Sequence, residues 1–195
     1  MTRHRDSLGP AYFETMFQGT DDPWDLESSP YEQVKYANTI GALGGRRYSR
    51  AFEIGCARGV LTHKLAPLCE NLLAIDVSST ALRAARERCA AFPQVGFANM
   101  VFPRQAPEGT FDLVVVSEVA YYWDDRDLEA SAAWLRKRLA TGGDLILVHW
   151  TGSTDYPQSG NEAAEKLRAA LEDVTEVITT ERYPEYRLDL WRKPV

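Results

Sequence analysis

Residues 51–59, Ala-Phe-Glu-Ile-Gly-Cys-Ala-Arg-Gly, followed at the end of the next apolar run by Asp76, constrain this chain more than any other stretch. They describe a strand ending in a glycine-marked loop, a helix leaving that loop, and a second strand delivering one carboxylate to the same rim. In a doubly wound sheet, ligands bind beyond the carboxyl ends of the strands where the strand order reverses, so the pattern specifies a nucleotide-type pocket. Gly55 and Gly59 remove Cβ atoms that would keep backbone away from a ligand or from the following helix. Asp76 is placed to accept hydrogen bonds from a ribose diol. The dinucleotide fingerprint Gly-x-Gly-x-x-Gly, aligned with its first glycine on Gly55, meets Ala57 and Val60 at the other two positions. Two of its three glycines are missing, which argues against a pyrophosphate at this loop. A P-loop is excluded because no Gly-Lys-Ser or Gly-Lys-Thr occurs in the chain.

The rest of the sequence sets broad limits. A chain of 195 residues is long enough for one sizeable core and short for two, so a single domain over 1–195 is expected, with 1–29 as an N-terminal lid or arm and 30–195 as the core. Hydrophobic residues make up 45% and charged residues 26%, a balance typical of globular proteins; no run approaches the roughly 18 apolar residues of a membrane span, so no membrane insertion is expected. The start, Met-Thr-Arg-His-Arg-Asp, lacks the apolar stretch of a signal peptide. Cys56, Cys69 and Cys89 form no Cys-x-x-Cys pair, which fits a reducing compartment, the cytoplasm, and no metal site. A net charge of -6 disfavours a nucleic-acid partner, whose phosphates are held by clustered Lys and Arg.

Along the chain, strand and helix signals alternate. Ser29-Pro30-Tyr31-Glu32 predicts a helix start, with Ser29 as N-cap, Pro30 in the first helical position and Glu32 placed to complete a capping box; the helix runs to about Leu43 and stops at Gly44-Gly45. A strand follows from Arg50 to Gly55, then a helix from about Val60 to Ala66 closed by Pro67, then the strand Leu72 to Asp76. Ser78 or Ser79 opens a helix in which Leu82, Ala85, Cys89 and Phe92 recur at helical spacing. Val95 to Met100 reads as a third strand. Phe111 to Glu118, with Leu-Val-Val-Val unbroken, reads as a central parallel strand. Leu128, Ser131, Leu135 and Leu139 mark a helix that Gly142-Gly143 ends before the strand Asp144 to Trp150. A helix from Asn161 to Leu171 precedes two β-rich runs, Val174 to Arg182 and Tyr186 to Arg192, which should pair antiparallel. The alternation predicts an α/β three-layer sandwich with a Rossmann-like, mostly parallel sheet of seven strands and an antiparallel C-terminal hairpin.

The motif Glu-x-Gly-x-x-x-Gly, with a strand-end acid 17 residues after its last glycine, resembles the first two motifs of class I S-adenosylmethionine-dependent methyltransferases. That resemblance implies S-adenosyl-L-methionine as cofactor, with Glu53 and the loop through Gly55, Cys56, Ala57 and Gly59 facing its methionine part and Asp76 its ribose. Val77, Asn99, Met100, Ser117, Glu118 and Trp24 are further candidates for the cofactor site. Asn99 stands where many relatives carry Asp beside adenine; its amide oxygen can still accept from the adenine amino group. The resemblance narrows over Asp22-Pro23-Trp24, Glu32 and Lys35, Glu-Ile-Gly-Cys, Ile-Asp-Val-Ser and Ser117-Glu-Val-x-Tyr-Tyr122, a set of motifs similar to the nodulation-type (NodS-like) N-methyltransferases. Those enzymes methylate the free amine of a glucosamine in a chito-oligosaccharide. The resemblance therefore implies N-methylation of an amino sugar or another small amine.

Methyl transfer from a sulfonium is a displacement in which the enzyme aligns nucleophile, methyl and leaving sulfur, and an amine must first lose a proton to expose its lone pair. Glu118, at the end of a strand, is a candidate to orient the amine or take that proton. His149, ending the next strand with an unperturbed pKa near 6.5, is a second candidate base, and Tyr122 is a third catalytic candidate. Tyr12, Phe13, Phe17 and Trp24 suit an N-terminal lid that covers a sugar ring and excludes water. Three alternatives stand beside this reading. They are O-methylation of a sugar or natural product, which the cofactor motifs do not separate from N-methylation, a nicotinamide-dependent oxidoreductase, which Ala57 and Val60 disfavour, and a non-catalytic nucleotide-binding domain.

Overall fold

The structure, a computed structural model, describes residues 3–195. Its contacts divide the chain into two compact units, residues 9–101 and residues 3–8 with 102–195.

The first unit opens with α1 (Pro10–Gly19), which begins on a proline and buries Phe17. This helix is absent from the sequence reading, which treats residues 1–29 as an aperiodic arm; its few apolar positions give no clear helical period. Next come α2 (Pro30–Ala42), β1 (Ala51–Ile54), α3 (Val60–Leu65), β2 (Leu72–Asp76), α4 (Ser79–Arg88) and β3 (Val95–Asn99). Ser29 caps α2 as its sequence predicts, with its hydroxyl accepting from the Glu32 N–H. The Glu32 carboxylate does not complete a capping box. It turns inward and takes a 2.7 Å bond from Lys35, both side chains being less than a tenth exposed, and the Lys35 ammonium also lies 5.0 Å from the Tyr31 ring centre. Two opposite charges buried together offset much of each other's desolvation, whereas either alone would be costly.

β1, β2 and β3 pair in parallel, with Ala51 opposite Leu72 and Leu72 opposite Val95. All four residues of β1 are buried, including the charged Glu53. The loop between β1 and α3 bends through left-handed backbone at Gly55 (φ 75°), Ala57 (φ 46°) and Gly59 (φ 76°). Gly59 is required twice over, because a Cβ there would also lie 3.0 Å from both Cα and Cβ of Ala85 on α4.

The second unit contains β4 (Phe111–Ser117), α5 (Asp125–Arg138), β5 (Leu139–Trp150), α6 (Gly160–Leu171), β6 (Glu176–Arg182) and β7 (Tyr186–Arg192). β4 and β5 are parallel, while β7 runs antiparallel to both β5 and β6. The strands form a seven-stranded sheet in the order β3-β2-β1-β4-β5-β7-β6. The expected helix end at Gly142-Gly143 is corrected: α5 stops at Arg138, and both glycines belong to the first part of β5. They are held there by the Gly142 N–H bond to the Lys193 carbonyl and the Lys193 N–H bond to the Gly143 carbonyl. Two buried acids are neutralised on β5 and β7: Arg192 forks onto Asp144 at 2.7 and 3.2 Å, and Arg187 forks onto Asp189 at 2.7 and 3.1 Å. Bidentate pairs of this kind hold geometry as well as charge. Among the described residues no helix is long and apolar enough to cross a membrane.

Gly59→Ala is expected to destabilise the protein by about 1–3 kcal/mol through left-handed strain, with further loss from contact with Ala85. Urea unfolding of the variant beside the parent measures it; an unchanged midpoint would show that the loop relaxes freely away from α4.

Candidate active site

In the first unit the site is built around Asp76, the last residue of β2. Its Oδ2 accepts the Ala57 N–H at 2.8 Å and its Oδ1 accepts the Ser78 N–H at 2.8 Å. One carboxylate thus ties the glycine loop to the entry of α4. The N–H groups of Gly55 and Cys56 both bond to the Ile75 carbonyl, which clamps the start of the loop to the same strand. Burial pushes the Asp76 carboxyl up to about 6, against the N–H groups of Ser78, Ala57 and Val77, with the nearby Glu14 charge pushing the same way as burial.

Glu53 lies on β1, 1% exposed. Burial pushes its carboxyl up to about 7; Thr62 opposes this and the Asp76 charge adds to it. Its Oε2 has no hydrogen-bond partner among the described residues. A buried carboxylate oxygen in that condition carries a substantial cost unless a donor reaches it.

The other expected residues of this half surround the same features. Cys56 is buried, with its thiol pushed up by burial, while Ala57 is half-buried in the loop. Asn99 donates its amide nitrogen to the carbonyls of Asp76 and Val77, at 3.1 and 2.9 Å, which leaves its amide oxygen as the group to meet a donor. The Met100 N–H bonds to the Asp76 carbonyl. Trp24 is half-buried and packs edge-on against Phe17, ring centres 5.4 Å apart.

In this unit one residue of the site escaped the sequence reading. Glu14 of α1 accepts from the Ser78 and Thr80 hydroxyls at 2.6 and 2.7 Å, and these bonds hold its carboxyl down at about 2. It carries the N-terminal helix onto the head of α4. A lone Glu in an aperiodic segment gives no signal for such a role.

In the second unit the site is built on the turn after β4. Ser117, half-buried, is opposite Val148 on β5, and the Glu118 N–H bonds to the Val148 carbonyl. Glu118 then takes left-handed backbone, φ 56°, which is strained for any residue with a side chain. Its Oε2 receives two donors, the Tyr121 hydroxyl at 2.7 Å and the Trp150 N–H at 2.9 Å. His149 is fully buried, and its Nε2 accepts the Ala120 N–H at 3.2 Å. That bond places the proton of the neutral ring on Nδ1. Tyr122 is 8% exposed, and its ring packs edge-on against those of Tyr121 and Tyr156, centres 4.6 Å apart in both pairs; Tyr156 is a third tyrosine, one that the sequence reading missed. Gly160 opens α6 so close to β5 that a Cβ there would sit 2.1 Å from the Trp150 carbonyl oxygen.

The extended segment before α1 also belongs to this unit. The Ser7 hydroxyl donates to Asp127 at 2.6 Å and accepts the Asp124 N–H at 2.9 Å, and the Leu8 N–H bonds to the Tyr122 carbonyl. No cluster of three or more metal-ligating side chains occurs among the described residues.

A mostly parallel sheet with a reversed last hairpin, a glycine loop after β1 and an acid closing β2 together define a Rossmann-like fold of the class I methyltransferase kind. The profile of the Nodulation protein S (NodS) family matches residues 16–153. This chain belongs to that family. It is 35% identical over 128 residues to Nodulation protein S of Rhizobium tropici, covering 65% of this chain and 54% of the relative. It is 38% identical over 134 residues to Nodulation protein S of Bradyrhizobium diazoefficiens, covering 65% and 61%. The chain therefore spans little more than half the length of these two relatives. A crystal structure of the N-methyltransferase NodS from Bradyrhizobium japonicum in complex with S-adenosyl-L-homocysteine superposes with a TM-score of 0.81, at 25% identity, over 96% of this chain and all of that one.

The shifted carboxyls predict the pH response of the unligated protein. Glu53 has a folded pKa of about 7 against an ordinary 4.5. Its protonated form is therefore favoured by folding, and that contribution is present below about 4.5 and lost as pH rises through 7. Glu53→Gln should flatten the fall in stability between pH 5 and 7, read from urea midpoints at each pH. Parallel profiles for the variant and the parent would place Glu53 outside this linkage.

Proposed function

We infer that this chain is an S-adenosylmethionine-dependent methyltransferase that N-methylates a small amine, and that the amine belongs to an amino sugar of the chito-oligosaccharide type. The observation that carries the cofactor reading is the acidity of the glycine loop. Glu53 sits beneath it, Asp76 closes it and Glu14 caps the helix beyond. The carboxylates of Asp76 and Glu14 beside this loop repel a pyrophosphate, which disfavours NAD by charge as well as by the missing glycines. They suit a ligand with an ammonium group, a ribose diol and a sulfonium. The S-adenosyl-L-homocysteine in the NodS structure supports the same choice.

The residues present fit that ligand. Glu53 Oε2 lacks the donor that an α-ammonium group would provide. Both Asp76 oxygens keep lone pairs for ribose hydroxyls while holding the loop. Asn99 offers its amide oxygen, and Val77 and Met100 flank it. S-adenosyl-L-methionine supplies the electrophilic methyl group and departs as S-adenosyl-L-homocysteine.

The protein's part in the chemistry falls to the turn after β4. Glu118 takes the proton of the acceptor ammonium, which exposes the nitrogen lone pair, and its two donors fix the direction of the carboxylate. His149 supports this turn through Ala120 and is not the base, because its basic nitrogen is already bonded and the ring has no exposure. The solved NodS relative, an N-methyltransferase, supports an amine acceptor, and the amino sugar is what the family resemblance implies. The three buried free cysteines fit a cytoplasmic setting.

Binding and catalysis are separable. S-adenosyl-L-homocysteine should raise the melting midpoint, with about 2.7 kcal/mol of added stability at a hundred times Kd, and Asp76→Ala should remove most of that shift while the far-UV spectrum is kept. Stabilisation by NAD and none by S-adenosyl-L-homocysteine would overturn the cofactor reading. Glu118→Gln should keep the shift yet lower turnover on a chito-oligosaccharide bearing a free terminal amine by about 100-fold or more. Unchanged turnover would remove Glu118 from the chemistry.

A further inference from the structure

In the first unit α3 and α4 each turn one helical face to a cavity of about 660 Å³. Val60, His63 and Lys64 come from α3 and Ala84, Glu87 and Arg88 from α4, both sets at the i, i+3, i+4 spacing of a single face. Arg58 of the glycine loop and Glu27 of the segment before α2 complete its charged wall. Glu53, Asp76, Asn99 and Met100 do not line it, so it is separate from the rim where a ribose and a methionine tail would be held.

The charge of this wall runs against that of the chain. Three cations, Arg58, Lys64 and Arg88, stand with two carboxylates, Glu27 and Glu87, in a chain of net charge -6. Arg88 is already engaged: it pairs with Glu27 at 2.7 Å, and its Nε donates to the Arg58 carbonyl at 3.1 Å. Arg58 donates Nη1 to the Asp21 carbonyl, and the carboxylate of that fully exposed residue lies 4.0 Å away. The Arg58 Nε–H, however, is buried and has no hydrogen-bond partner among the described residues. A buried N–H in that condition costs stability until an acceptor reaches it. Lys64 is half-buried, and neither its ammonium nor the Glu87 carboxylate has a partner among the described residues.

We propose that this cavity is a second ligand site, which binds the phosphate monoester of a small polyhydroxylated molecule, a sugar phosphate in chemical class. Arg58 Nε and Lys64 Nζ are cationic donors lacking acceptors; together they call for a group with several oxygens and two negative charges, which a phosphate monoester carries and a carboxylate does not. His63 adds an imidazole to the same wall, its ring edge-on to Phe92 with centres 5.0 Å apart. Glu87 selects the rest of the ligand. An ionised carboxylate only accepts hydrogen bonds, so it favours hydroxyl groups and repels a second phosphate. The cavity is larger than one phosphate needs and has room for a hexose.

Melting midpoints at constant ionic strength test the site, with glucose 6-phosphate and glucosamine 6-phosphate as probes and glucose and sodium sulfate as controls. At least one probe should raise the midpoint saturably, as a ligand of the folded state does. The rise should persist with S-adenosyl-L-homocysteine at saturation, which separates this cavity from the cofactor rim. Lys64→Gln and Arg58→Gln should each raise the half-saturating concentration by about tenfold or more. Lys64 has no partner to lose, so Lys64→Gln should melt like the parent when no probe is present. No saturable rise with either probe, an equal rise with sodium sulfate, loss of the rise under S-adenosyl-L-homocysteine, or unchanged half-saturation in both variants would each overturn the site. None of these readings involves methyl transfer, so they stand apart from the fate of the catalytic assignment.

Discussion

The first unit depends on a carboxylate that does structural work before it meets any ligand. Asp76 closes the glycine loop from one oxygen and the entry of α4 from the other. The left-handed bends at Gly55, Ala57 and Gly59 let the chain return close enough for that closure, and the contact of Gly59 with Ala85 sets how near α4 can stand. Because the carboxylate is buried, each N–H bond it accepts is a charge-assisted bond in a poorly screened setting, stronger than its surface counterpart. Removing the carboxylate would leave two loop N–H groups to find other partners. The shape of the loop and the entry of α4 therefore share a single residue.

Charge then organises the rest of that half. Glu53, Asp76 and Glu14 experience one another, yet each is stabilised by a different means. Glu14 is held by hydroxyls, Asp76 by backbone N–H groups, and Glu53 by carrying a proton when no donor is near. A ligand ammonium beside Glu53 would let that proton leave and would provide the positive charge the loop lacks. Uptake of such a ligand and ionisation of the carboxyl would be coupled through the same oxygen.

Much of this was legible from the residues. The strand, glycine loop, strand and acid at 51–76 could be placed because apolar runs mark buried strands and glycines mark where the chain must bend. Val95 and Phe111 likewise began strands where their patterns predict. α1 was not legible, since Tyr12, Phe13 and Phe17 do not repeat with a helical period strong enough to separate a helix from a loose arm. The helix over 161–171 was expected without its cap, which Ser159 and Glu162 form by bonding reciprocally across the first turn. The boundary at Gly142 was misplaced because a glycine with positive φ serves a bent strand as readily as a helix end. Tyr156 was hidden in a connection of Gly, Ser and Pro, and its meaning comes wholly from neighbours that are distant in sequence. The bond of His149 to Ala120 is equally invisible in one dimension, and it occupies one of the two ring nitrogens.

The left-handed backbone at Glu118 casts the second unit in a different light. A residue with a side chain in that conformation holds about 1–3 kcal/mol of strain, a sizeable share of the roughly 5–15 kcal/mol by which folded domains persist. Selection for durability alone would place glycine or asparagine there. Either would relieve the strain, and would surrender the carboxylate on which the Tyr121 hydroxyl and the Trp150 N–H converge.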